Sequence, residues 1–284
     1  MNTTIANSEI SVTINALGAE LTSLRLLKTD KEYIWEGDAF FWGKHSPVLF
    51  PIVGTLKNDC YYYNNQKYEL LRHGFARIST FELVAQSDSH IVYSLKSSNE
   101  IKKVFPFEFE LQIRYVLLGA RLTIEYTVFN NDEVTMPFSI GGHPAFALPQ
   151  HFENYSLEFN EQETLKCFKL KHDLVSNHSF EIELLNKKLP LQYEMFQEDA
   201  LIFKQLLSKE ITILENHQSL LKVAFQDFKN LGIWTKLNAP FICIEPWMGY
   251  SDTPESSGNL LEKEGIQLVE KDERYKCAFS IEIL

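Results

Sequence analysis

Three short stretches of the chain carry side chains able to move a proton. Ser139 to Phe146 (Ser-Ile-Gly-Gly-His-Pro-Ala-Phe) sets His143 between two glycines and a proline. Arg72 to Arg77 (Arg-His-Gly-Phe-Ala-Arg) sets His73 between two cations, and Phe241 to Trp247 (Phe-Ile-Cys-Ile-Glu-Pro-Trp) sets Glu245 behind four apolar residues. An imidazole gives or takes a proton near neutral pH. A carboxylate whose backbone is buried resists ionisation, so its pKa climbs toward the range where it acts as a general base at pH 7. Each residue has a plainer reading. A histidine in a glycine turn is often only a hydrogen-bonded structural group, and Glu245 at a strand end can reach solvent or pair with Lys236.

The surroundings of these residues read as strands. Pro144 removes a donor and pushes His143 away from helical dihedrals, while Gly141 and Gly142 permit positive φ or a close approach by another group. The imidazole is therefore expected on an extended bend at the end of a strand. Alternation is clean in Phe107–Val116 and Arg121–Phe129, each with one apolar and one polar face. Shorter strand-like runs occupy 4–14, 18–27, 33–35, 81–84, 90–95, 199–203, 210–214, 220–225, 231–235, 241–247, 266–269 and 275–283. Tyr61–Tyr63 and Lys67–Leu70 flank Asn64-Asn65-Gln66 as a hairpin. Residues 40–54, aromatic and interrupted by Pro47 and Pro51, read as a buried connector. Residues 150–198 are polar and weakly periodic, as expected of short strands and one excursion. No linker divides the chain, so 1–284 is expected to be one domain, an all-β sandwich of mostly antiparallel strands with few short helices.

Composition narrows the function. The chain has 284 residues, 45% of them hydrophobic, with 21 Phe and 12 Tyr, which favours strands over helices. A net charge of -11 disfavours nucleic acid or an anionic membrane surface as partner and leaves a neutral small molecule unaffected. Cys60, Cys167, Cys243 and Cys277 are scattered without zinc spacing, so no metal is expected and the cysteines read as core fillers in a reduced cytoplasm. There is no apolar run of membrane-spanning length, no signal-like N-terminus, no nucleophile elbow and no phosphate loop.

Five segments in one order resemble the aldose 1-epimerase (galactose mutarotase) family, in its shorter LacX-type branch: Ser46–Gly54, Arg72–Arg77, Gly141–Phe146, Asp199–Phe203 and Ile244–Trp247. The resemblance implies a galactose-mutarotase-like β-supersandwich, interconversion of the α and β anomers of an aldose, and no cofactor. It implies Glu245 as base, His143 as acid, His73 as a sugar ligand and Asp199 as a contact to sugar hydroxyls. Where larger relatives carry Gly-Arg-x-x-Asn-Arg, this chain reads Gly54-Thr-Leu-Lys-Asn-Asp59. Asn58 is kept, and Arg72 and Arg77 are the candidates to replace the missing arginines. With only Arg72, Arg77 and Lys57 nearby, an unphosphorylated sugar is favoured over a hexose 6-phosphate. Trp247 reads equally as core or as a platform for the sugar's C–H face, whereas Phe75 and Phe146 read as core. Two other classes fit parts of the pattern: an iron site of two histidines and a carboxylate, and a sugar-binding protein without turnover. Monomer and homodimer are both compatible with the sequence.

Overall fold

Side-chain alternation builds most of the molecule, whose computed structural model describes residues 1–284. In Phe109–Leu118 and Arg121–Asn130 every second residue is buried, and the two strands pair antiparallel from Phe109 opposite Asn130 to Leu118 opposite Arg121. They lie within a nine-stranded sheet that runs from Lys188–Pro190 at one edge, through Arg274–Ile283, to Glu82–Gln86 at the other. An eight-stranded sheet begins with the strands Leu174–Glu183 and Thr164–Lys171. It continues through Leu201–Phe203, Asn230–Trp234 and Phe241–Met248 to Ile140–Gly142 and Val48–Leu49. A four-stranded sheet holds the first 32 residues. Every ladder between strands named here is antiparallel, and the one α-helix is the four-residue turn Asn99–Lys102. The architecture is the all-β supersandwich expected.

The two large sheets meet face to face over a continuous core. Their approach is tightest at Gly142, where a Cβ would fall 2.8 Å from Phe279 Cζ and 3.1 Å from the Tyr126 hydroxyl, both on the nine-stranded sheet. Phe241–Met248 is buried on both faces. Ile242, Ile244 and Met248 enter the main core. Phe241, Cys243, Glu245 and Trp247, two apart and so on the opposite face, look outward into smaller aromatic clusters built around Trp35 and around Tyr250.

Two expectations are refined. Gly141 and Gly142 keep negative φ, since neither is among the positive-φ glycines. They are needed for close approach alone, as a Cβ on Gly141 would sit 2.6 Å from Trp247 Cδ1. Tyr33–Trp35 pairs as expected: Ile34 bridges antiparallel to Phe146, Trp35 N donates to the Ala145 carbonyl and Ala147 N to the Tyr33 carbonyl, while Lys31–Glu32 just before it pairs with Arg25–Leu26. The stretch 150–198 contains a long hairpin, Thr164–Lys171 with Leu174–Glu183, whose outer strand is mostly exposed on both faces and so lacks the periodic signal of a packed strand.

The loop after Phe241–Met248 is anchored by a buried ion pair. Lys263 Nζ donates to Asp252 Oδ1 at 2.8 Å and to the Tyr250 carbonyl at 2.6 Å, and both charged side chains are only 3% exposed. Asp252 Oδ2 accepts from the Lys57 backbone, and Ser251 Oγ accepts from Thr55 N. Replacing Asp252 by alanine strands the Lys263 ammonium in the interior. Asp252→Ala is expected to lower unfolding free energy by about 3–5 kcal/mol in urea titrations; a loss below about 1 kcal/mol, the scale of an exposed pair, would show that the pair is solvated.

Candidate active site

His143 and Glu245 touch. Their Nε2 and Oε2 atoms are 3.1 Å apart, and the residues are 8% and 1% exposed. Each is positioned by backbone ladders. Gly141 pairs with Leu49 on one side and Trp247 on the other, and His143 N donates to the Pro47 carbonyl at 3.1 Å. Glu245 sits in mid-strand opposite Gly232. The contact lacks hydrogen-bond alignment, so Glu245 Oε2 is buried without a partner, and His143 Nδ1, the other ring nitrogen, is buried without one as well. Lys236 is not available to Glu245, because its ammonium binds the Phe41 carbonyl.

Burial governs the charge of both groups. It drives the Glu245 carboxyl well above the usual carboxylate range, with Asp199 adding to the rise; Arg72 opposes it, as does the Trp247 indole N–H nearby, although that N–H has no aligned acceptor. Burial drives His143 down to about 3, reinforced by the charges of Arg72 and Arg77 and opposed by its own, poorly aligned backbone carbonyl. Two adjacent groups that each resist charge hold one proton between them over a wide pH range. The pair is either carboxyl with neutral imidazole or carboxylate with imidazolium, and both forms have the same net charge.

These two residues lie in a cavity of about 260 Å³ whose walls include Trp42, Arg72, His73, Arg77, Asp199, Trp234, Trp247 and Ser251. His73 faces His143 edge-on at 5.8 Å. His73 and Gly54 grip each other: Gly54 N donates to Nδ1 at 3.1 Å, and His73 N donates to the Gly54 carbonyl at 2.8 Å. Burial lowers the pKa of His73 well below the usual value, His143, Arg72 and Arg77 add to this, and the ring is neutral at pH 7. A neutral ring accepts at only one nitrogen. With Nδ1 accepting from Gly54, the proton is assigned to Nε2, and the 3.3 Å approach of Arg72 Nε to Nε2 is then a contact between two donors. Arg72 bridges Asp173 at 3.0 Å and Asp199 at 3.5 Å, while Arg77 donates to the Arg72 carbonyl.

Trp247 fills the space left by two glycines, for a Cβ on Gly232 would lie 2.4 Å from its ring and one on Gly141 2.6 Å. Phe75 and Phe146 are buried in the main core, as expected. Asn58 stands apart from the cavity, exposed on a turn with φ 60°. Its amide tolerates that left-handed backbone, which accounts for an asparagine there without any sugar contact. Lys57 also lies outside the cavity, with its ammonium on the Pro254 and Ser256 carbonyls. The structure does not assemble His73, His143 and Glu245 as an iron triad, since His73 offers neither free nitrogen in a shared set; the clustered third donor is Cys243.

Trp42, Trp234 and Ser251 line the cavity without having been singled out in the sequence. Trp42 is the most consequential, stacking on the His143 ring at 4.8 Å and 25°. A run of aromatics at 40–42 gives no sign of which ring meets a histidine a hundred residues on.

The aldose 1-epimerase family model matches residues 1–276. The plasmid-encoded protein LacX of Lactococcus lactis subsp. lactis is 36% identical over 280 residues, covering 92% of each chain. A solved galactose mutarotase related enzyme from Lactobacillus acidophilus superposes with a TM-score of 0.96 at 33% identity, over 100% of this chain and 97% of that one. The galactose 1-epimerase of Lactobacillus acidophilus NCFM, 14% identical, shares the fold with a TM-score of 0.73 over 99% of this chain and 93% of that one.

Burying His73 neutral has a sign that can be measured. Below pH 6.5 the unfolded chain protonates this histidine and the folded chain does not, so its contribution to stability is lost as pH falls through that window. Between pH 6.5 and 5, His73→Asn should therefore lose less stability than wild type, by up to about 1.4 kcal/mol per pH unit. Parallel curves from chemical denaturation would mean that His73 titrates normally in the fold.

Proposed function

The chain belongs to the aldose 1-epimerase family of isomerases, and on that premise we propose that Glu245 and His143 are the base and acid that open and reclose the ring of an unphosphorylated hexose. The anomeric oxygen and the ring oxygen are bonded to the same carbon. A base serving one and an acid serving the other must therefore stand side by side, and the 3.1 Å approach of His143 Nε2 to Glu245 Oε2 supports this reading above all else.

In the forward step the Glu245 carboxylate takes the proton of the anomeric hydroxyl. The His143 imidazolium gives a proton to the ring oxygen, the bond from C1 to that oxygen breaks, and an aldehyde forms. Rotation about C1–C2 presents the other carbonyl face, and reversed transfers close the ring. Opening converts carboxylate and imidazolium into carboxyl and neutral imidazole. That is also the form burial favours at rest, so a proton passes from Glu245 to His143 within the pair before opening, and closure returns the pair to the charged form. His73 Nε2–H, Asp199, Arg72 and Arg77 hold hydroxyl groups, and Trp247 offers its ring to the apolar face of the sugar. The transfers need no cofactor.

The substrate is unphosphorylated in this reading because the two cations at the cavity are already engaged, Arg72 by two carboxylates and Arg77 by the Arg72 carbonyl, and Lys57 binds backbone carbonyls outside it. No helix is long and apolar enough to cross a membrane. A single-domain cytoplasmic enzyme, monomer or homodimer, that takes its aldose from solution completes the proposal.

Optical rotation of freshly dissolved single-anomer sugars tests it. Glu245→Gln and His143→Gln should each slow mutarotation by about 10²–10⁴-fold with the fold intact, and hexose 6-phosphates should react more slowly than free hexoses. An undiminished rate in Glu245→Gln removes the base, and hexose binding without acceleration by the wild type would make the protein a binder.

A further inference from the structure

Beside the acid–base pair lies a third donor to which the reaction gives no task. Cys243 precedes Glu245 by two residues on one strand, so both side chains leave the same face. One ligand atom from each of His143, Cys243 and Glu245 lies within 4.8 Å of the other two, and all three residues are buried. Cys243 is a free thiol. Glu245 Oε2 and His143 Nδ1 have no hydrogen-bond partner, so the cluster contains polar atoms that the protein leaves unsatisfied.

The one spacing known closely, between imidazole and carboxylate, suits a shared ion, and the sulfur lies within 4.8 Å of both. Nitrogen and oxygen ligands at ~2.0–2.1 Å from a tetrahedral ion stand about 3.3 Å from each other, and His143 Nε2 and Glu245 Oε2 are 3.1 Å apart. The donor types select the ion. Imidazole and thiolate favour borderline and soft cations such as Zn²⁺ or Cd²⁺, whereas Mg²⁺ and Ca²⁺ demand oxygens. A dication with one thiolate, one carboxylate and one neutral imidazole is uncharged overall, which a buried site tolerates. His143 and Glu245 line the cavity, which is the route of entry for an ion from solvent, and Cys243 lies behind them.

We propose that His143, Cys243 and Glu245 form a three-ligand site for a thiophilic divalent cation, and that a cation bound there silences the isomerase by engaging its base and its acid together. The binding half stands on the cluster alone; the silencing half rests on the roles proposed above for Glu245 and His143. Bonds form from the ion to sulfur, nitrogen and oxygen. The thiol proton and the proton held by the pair pass to solvent, and nothing is oxidised or reduced. Sugar and cation exclude each other.

Cobalt(II) added to chelator-treated protein tests the site, because a thiolate ligand gives a near-ultraviolet charge-transfer band. Wild type should bind one Co²⁺ per chain with that band, Zn²⁺ should abolish it, and Cys243→Ala should lack it. In polarimetry, Zn²⁺ should halt wild-type mutarotation and EDTA restore it. Cys243→Ala, active without metal, should need more than tenfold more Zn²⁺, since losing even an outer-shell partner weakens metal binding by ~10–100-fold. Cys243→Ser, closer in shape, should fall between the two and covers the case in which alanine fails to fold. Absence of the thiolate band, or equal zinc sensitivity in all three proteins, overturns the site. Zinc held through Cys243 with mutarotation undiminished overturns the silencing and counts against the roles of the pair, while leaving the site standing.

Discussion

A carboxyl and an imidazole in contact, both shut off from water, cannot each behave as they do in solution. Either one alone would be forced neutral, because a desolvated charge costs several kcal/mol. Side by side, they share a single proton, and moving it between them leaves the net charge unchanged. Ring opening and closure of a hemiacetal require the same exchange, with one proton removed at one oxygen and one supplied at its neighbour. The contact between His143 and Glu245 thus links burial, charge and chemistry.

The scaffold serves that contact from two sides. Phe241–Met248 has one face in the main core and the other in the cavity wall, which fixes Glu245 without any side-chain tether. Gly141 and Gly142 let Trp247 and the opposing sheet come close enough to hold His143 in the bend just after their short strand, and Trp42 covers the ring. The other wall is made of irregular backbone. His73 and Asp199 both have left-handed φ, 67° and 72°, a conformation that non-glycine residues seldom adopt without a reason. A strand and the bend between two short strands carry the proposed acid–base pair, and tight turns carry the proposed sugar contacts, the usual division between scaffold and binding loops.

Much of this was legible in the sequence, for reasons that can be named. Strict alternation announced Phe109–Leu118 and Arg121–Asn130 because one face of each is buried. Glu245 was legible as a candidate because it follows four apolar residues, and its burial opposite Gly232, with Lys236 held by the Phe41 carbonyl, decides between an inward carboxylate and a strand end in solvent. Other features left weaker traces. The outer strand Leu174–Glu183 packs against little and so has no period to read. Asn58 looked like a kept motif residue, yet its left-handed turn explains it without a ligand. Trp42 over His143, and Cys243 beside the contact of His143 with Glu245, join segments that a local reading treats separately. No zinc spacing exists because two donors come from one strand and the third from a bend a hundred residues earlier.

The central claim is that His143 and Glu245 titrate as one unit. Nitrogen-15 NMR of the His143 ring between pH 8 and 4 addresses it directly. The account predicts no protonation step near the ordinary histidine value of about 6.5, with the ring signal altered across the whole range when Glu245 is replaced by glutamine. An independent midpoint near 6.5 that ignores the Glu245→Gln change would contradict it.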